Sequence, residues 1–226
     1  MEVLTKSDLR EGGFAGLKEH QLVMDKKAFG PNRNPQTWGG LGNFVYLADA
    51  RFMPKGETLM HGHKEVDVIS VMVKGRINHE GSLEHGQMMN AKQAQVQRAG
   101  GEGFSHNEVN PDDVENQMIQ LWVLPERSGE KAGYKLYSPK TGELTRIYGG
   151  EIGQDETFDS HTQISVANLE ADHGFEQNTA SLVYVSDGEV EIDTERFEAG
   201  TLVRSEAFTL VALTSAQVIV IDITPI

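Results

Sequence analysis

The sequence predicts an all-β protein made of two antiparallel β-barrels in tandem, and three observations predict it. Twenty-four glycines interrupt the 226 residues, and few stretches sustain the apolar spacing of a helix. Short apolar runs recur instead, separated by turn residues at intervals typical of sandwiches and barrels. Two of these runs, half a chain apart, look alike.

In chain order, the first strand is read at residues 44–47 (Phe-Val-Tyr-Leu) and the second at 68–73, Val-Ile-Ser-Val-Met-Val. Lys74-Gly75 then reads as a tight turn into Arg76-Ile77-Asn78, and residues 118–123 read as a further strand. A polar, turn-rich break falls within residues 126–153, around Ser128-Gly129 and Ser138-Pro139. Beyond it, residues 182–185 run through Asp187-Gly188 into Glu189 to Ile192, a hairpin signal, and the last strand is residues 218–223. Gly75 and Gly188 lie 113 residues apart, half the chain. Phe104-Ser105-His106 is echoed by Phe208-Thr209-Leu210, each ahead of a strand ending near a proline, Pro125 or Pro225. The expected division is residues 1–130 and 131–226.

Composition excludes several functions. The 20 Lys and Arg against 34 Asp and Glu leave a net charge of −14, which opposes binding to duplex nucleic acid or to an anionic membrane. With no cysteine, disulfides, thiolate nucleophiles and iron–sulfur clusters are excluded. No segment approaches the roughly 18 apolar residues of a membrane span. No basic region precedes an apolar core near Met1, so cytoplasm is the expected location.

His61-Gly62-His63 is the sharpest chemical signal. Alternate residues of a strand share a face, so both imidazoles can enter a barrel mouth together. His106 and Glu108 repeat the spacing on a second strand. Three imidazoles and one carboxylate suit a first-row divalent metal with positions left open. Each pair alone would also fit solvated histidines on an edge strand. His20, His79, His85, His161 and His173 are read as solvated or hydrogen-bonded. Gly56 and Gly75 bracket the first pair and Gly101 and Gly103 precede the second, letting the backbone crowd a pocket or turn sharply.

The segment from Gly56 through His61-Gly62-His63 and Asp67 to Gly75 resembles the first cupin motif. Gly101-Glu102-Gly103-Phe104-Ser105-His106-Asn107-Glu108 resembles the second motif in its pirin form. The likeness to pirin-family bicupins covers about Gly39 to Tyr137, including His79-Glu80-Gly81-Ser82 and Gln120 to Pro125. It implies His61, His63, His106 and Glu108 as ligands, usually to Fe(II), in a set that also accepts Mn, Co, Ni, Cu or Zn. Asp67 stands where cupins commonly carry Glu, at a position that is not a ligand in pirins. Residues 90–95 lack the Pro-Gly turn usual before the second motif.

Taking Phe208 as the partner of Phe104 puts Leu210 and Ala212 where His106 and Glu108 stand. Counting from the two turn glycines puts Gly174 and Glu176 at the histidine pair. The second domain is therefore expected to be a degenerate cupin without ligands. Bacterial pirin-like proteins resemble quercetin 2,3-dioxygenases, which implies an aromatic small-molecule substrate and dioxygen, with Glu108 as the catalytic base. Met60, Val68, Ile69, Phe52 and Phe104 are candidates for an apolar mouth. The loop Phe29 to Pro35 is read as bordering the pocket, and Trp38 and Trp122 as packing residues. The alternatives are a metal-dependent regulatory pirin with a protein partner, and a metal-free structural module.

Overall fold

The computed structural model describes residues 1–223, so Pro225 lies outside the described residues. The chain divides into two compact units, Leu9–Ser138 and Met1–Asp8 with Pro139–Ile226. The sequence division at 130/131 differs from this at both ends. Glu2–Thr5 pairs with Thr201–Ser205, and Gly133–Tyr137 pairs with Ala94–Arg98. Each is an edge strand recruited by main-chain pairing, which carries no side-chain signature.

Each unit packs one large antiparallel sheet on a four-stranded one. In Leu9–Ser138 the large sheet has seven strands, in the order Gly133–Tyr137, Ala94–Arg98, Asp67–Lys74, Gln117–Val123, Phe44–Phe52, Leu17–Met24, Gly12–Phe14. Its partner runs His61–His63, Phe104–Val109, Arg76–Gly81, Gln87–Asn90. Leu17, Ala50, Phe52, Met72 and Met118 from the large sheet pack with Ile77 and Met89 of the small one. The second unit repeats the plan with six strands against Gly174–Gln177, Phe208–Ala212, Glu189–Ile192 and Glu195–Glu198. The all-β, bicupin reading of the sequence therefore holds.

The two expected hairpins are corners. Asp67–Lys74 and Arg76–Gly81 do not pair with each other: the first lies in the large sheet, the second in the small one. The same is true of Ser181–Asp187 and Glu189–Ile192. Gly75 and Gly188 sit at φ 76° and 78°, and a Cβ on Gly188 would meet Ser215 O at 2.2 Å. Glycine is required at both for the sharp change of direction. In place of the missing Pro-Gly turn, Lys92 takes φ 69° and donates its N–H to Met72 O. No helix of the described residues is long and apolar enough to cross a membrane.

Candidate metal centre

His61–His63 pairs antiparallel with Phe104–Val109, putting His106 opposite His61 and Phe104 opposite His63. The alternation expected of the two i, i+2 pairs is thus realised. His106 Nε2 lies 3.0 Å from His61 Nε2 and 3.2 Å from His63 Nε2. For nitrogen–metal bonds of about 2.1 Å, ligands at right angles sit about 3.0 Å apart and tetrahedral ones about 3.4 Å apart. The two distances from His106 therefore lie between those of octahedral and tetrahedral neighbours, and all three nitrogens lie within 4.8 Å of one another.

Protonation agrees with that use. His61 Nδ1 is 2.8 Å from Leu59 O, an acceptor only, so Nδ1 carries the proton and Nε2 offers its lone pair. Gln97 Nε2 lies 3.3 Å from His106 Nδ1, while Gln97 Oε1 is buried and without a partner. Turned over, the same amide would accept a proton from Nδ1 and release the Nε2 lone pair of His106. Burial, then the neighbouring His61, pushes the His63 pKa down to about 4. Burial, then His61, His63 and His79, pushes His106 to about 2. Both rings are neutral at neutral pH, as ligation requires. These observations fit a bound divalent metal, and His61, His63 and His106 could hold one.

Glu108 lines the same cavity but is held apart from the close group of three nitrogens. Its Oε1 accepts from Ser70 Oγ at 2.9 Å and Gln95 Nε2 at 3.0 Å. Tyr134 in turn donates to Gln95 Oε1 at 3.1 Å. Complete burial raises the Glu108 pKa to about 7 against those two hydrogen bonds. Asp67 is fully buried and faces Arg98 Nε at 3.2 Å, away from the histidine group. His79 is buried as well, bonded through Nε2 to Leu83 O at 2.7 Å.

The cavity above the histidines has about 60 Å³ and is walled by Leu17, Ala50, Phe52, Thr58 and Met118. It shares Phe14, Glu19, Tyr46, His61, His63 and Trp122 with an outer basin of about 430 Å³ that also takes in Gln21 and Phe29. Of the five apolar residues expected at the mouth, only Phe52 lines the inner cavity. Val68 and Phe104 pack in a separate cluster, Ile69 is buried, and Met60 is exposed. Alternation explains only Ile69, turned to the opposite face from Ser70, which bonds Glu108; Val68 and Phe104 share the faces of Ser70 and His106 but pack with Ala99 instead. Trp122, read as packing, lines the basin and stacks on Phe29 at 5.9 Å between ring centroids. Glu19, Tyr46, Gln95, Gln97 and Ser70 escaped sequence reading. Only the alternation Leu17, Glu19, Gln21, with an acid at an inward position, could have signalled one of them.

Two packed β-sheets with three imidazoles meeting at the small sheet make a cupin-type fold with a group that could hold a metal ion. Residues 32–123 match the Pirin family model, the stretch that carries the motifs likened to that family. Along its length the chain is 24% identical over 235 residues to a Zymomonas mobilis protein named provisionally as a quercetin 2,3-dioxygenase, covering 97% of each. The fold is that of the Escherichia coli pirin YhhW in complex with nickel(II), with a TM-score of 0.81 at 16% identity over 100% of this chain and 99% of that one. A quercetin 2,3-dioxygenase from Acinetobacter baumannii shares it, with a TM-score of 0.70, 17% identity, and 100% and 86% coverage.

Proposed function

We propose that the protein is a metal-dependent dioxygenase that opens flavonol-type aromatic substrates at a mononuclear centre of His61, His63, His106 and Glu108. The observation that carries this reading is the meeting of three imidazole nitrogens 3.0 and 3.2 Å apart beneath an aromatic-walled basin. Fe(II) bound there would supply Lewis acidity and access to dioxygen, and nickel bound by a relative of the same fold supports metal binding in this architecture.

The chain's own residues do the rest. The Phe29–Trp122 stack and the Tyr46 ring, 4.6 Å from Trp122, offer a flat apolar wall to a planar ligand. A basin of about 430 Å³ is of the size that takes one small aromatic molecule. Glu108, its Oε1 held by Ser70 and Gln95, would take the substrate hydroxyl proton on its other oxygen. Iron-loaded protein mixed with quercetin under air should bleach the flavonol's near-visible band, and His61→Ala should not. Equal bleaching by the two proteins, or none by the wild type, refutes the reading.

A further inference from the structure

Glu19 sits on Leu17–Met24 at a position where strand alternation buries Leu17 before it. It is 8% exposed, and burying a carboxylate is costly unless its oxygens are hydrogen-bonded. An ionised carboxylate has about four acceptor sites. Tyr46 OH fills one, donating to Oε2 at 2.9 Å, and Gln21 Nε2 another, donating to Oε1 at 2.7 Å. Gln21 Nε2 also reaches Tyr46 OH at 3.3 Å, tying the three side chains together. Both donors are neutral, and burial, then Glu19, keeps the Tyr46 hydroxyl protonated far above neutral pH. The spare acceptor capacity of Glu19 belongs to a residue that lines both the inner cavity and the outer basin.

We infer that Glu19, fixed by Tyr46 and Gln21, is a specificity subsite that accepts a hydrogen bond from a hydroxyl group of a planar aromatic ligand. This rests on the reading that the basin holds the substrate of the histidine centre. The ligand lies with its face against Trp122 and Phe29, one end at His61 and His63, and a hydroxyl at Glu19. A carboxylate at that place selects neutral phenols and rejects carboxylated aromatics, since two buried like charges repel.

The test compares two probes, a flavonol with hydroxyls on its pendant ring and the same flavonol without them, titrated into metal-loaded protein by calorimetry. The wild type should bind the hydroxylated probe about tenfold more tightly. Glu19→Gln should cut that preference below about threefold while leaving metal stoichiometry and the melting temperature in place. Tyr46→Phe, which loosens the carboxylate but keeps it, should leave a preference between those of the wild type and Glu19→Gln, and Glu19→Ala replaces Glu19→Gln if that variant does not fold. A full preference in Glu19→Gln (or in Glu19→Ala), or equal binding of the probes by the wild type, overturns the subsite. None of those results touches bleaching of quercetin by the wild type. Conversely, a wild type that shows the preference but bleaches nothing upholds the subsite and refutes the dioxygenase reading.

Discussion

In the first unit the small sheet turns His61, His63 and His106 toward a cavity, and in the second the strands of the same order turn Phe175 and Leu210 into a closed core. The pairings locate the equivalent positions. Phe104 faces His63 and His106 faces His61, whereas Phe208 faces Gln177 and Leu210 faces Phe175. Phe175 and Gln177 therefore stand at the histidine pair, and the sequence assignment of Gly174 and Glu176 is one residue off. The cause is a shorter connection: His63 lies twelve residues before Gly75, and Gln177 eleven before Gly188. Leu210 and Ala212 do lie at the partners' places expected for His106 and Glu108, and both are buried in the apolar cluster. One scaffold thus takes either a metal-type polar centre or a sealed core, and a few side chains decide which.

The reciprocal exchange puts the largest effects on this comparison. His106→Leu copies the second unit into the first and should abolish stoichiometric metal binding, a loss of at least about 100-fold in affinity. Stability in chelator should hold or rise, because a buried imidazole gives way to an apolar side chain. Leu210→His copies the first unit into the second. It should lower stability by about 4 kcal/mol, through a lost apolar side chain and a desolvated ring, without creating a metal site. Metal titration with chemical denaturation reads both. Tight metal binding by His106→Leu, or a Leu210→His protein as stable as the wild type, would erase the distinction between the sheets.

The same contrast appears in the response to pH. Glu108 has its pKa raised from 4.5 to about 7, and Ala212 carries no charge to titrate. Between those values the folded carboxyl keeps a proton that the unfolded chain has released, so its contribution falls as pH rises from 4.5 to 7. His63 and His106, lowered to about 4 and about 2 from 6.5, act the other way, and stability falls as pH drops below 6.5. In the metal-free protein Glu108→Gln removes only the first effect. Its stability relative to the wild type should increase by about 3 kcal/mol between pH 4.5 and 7.5. A difference that stays constant with pH would show that the carboxyl is not desolvated.

The sequence revealed the architecture and the imidazoles because both depend on short-range pattern. Alternation along residues 61–63 and 104–109 needs only the period of a strand, and the corner glycines announce themselves through their required φ. Whether the chain after Gly75 folds back on its own strand or crosses to the other sheet depends on partners distant in sequence, and the hairpin reading failed there. Glu19, Ser70, Gln95 and Gln97 were invisible for the same reason. Each is an ordinary polar residue until Leu17–Met24, Asp67–Lys74 and Ala94–Arg98 bring it beside Tyr46, Glu108 or His106.

Gln97 offers the smallest and most local effect. Its amide lies 3.3 Å from His106 Nδ1 and, with Oε1 turned to that nitrogen, would hold the proton there and leave Nε2 free for a metal. Leu59 O performs this task for His61 from the main chain, where no mutation can remove it. Gln97→Leu leaves His106 in place but no longer selects its tautomer, so metal affinity should fall by about tenfold while the stoichiometry stays at one. Gln97→Glu keeps an acceptor at the same place and should restore or exceed wild-type affinity, since a carboxylate is the stronger acceptor. Competition with a chelator of known affinity measures both variants. If the two bind metal alike, His106 is oriented by packing against Phe104 and His79 alone, and its equivalence to the core position of Leu210 is closer than the hydrogen bonds suggest.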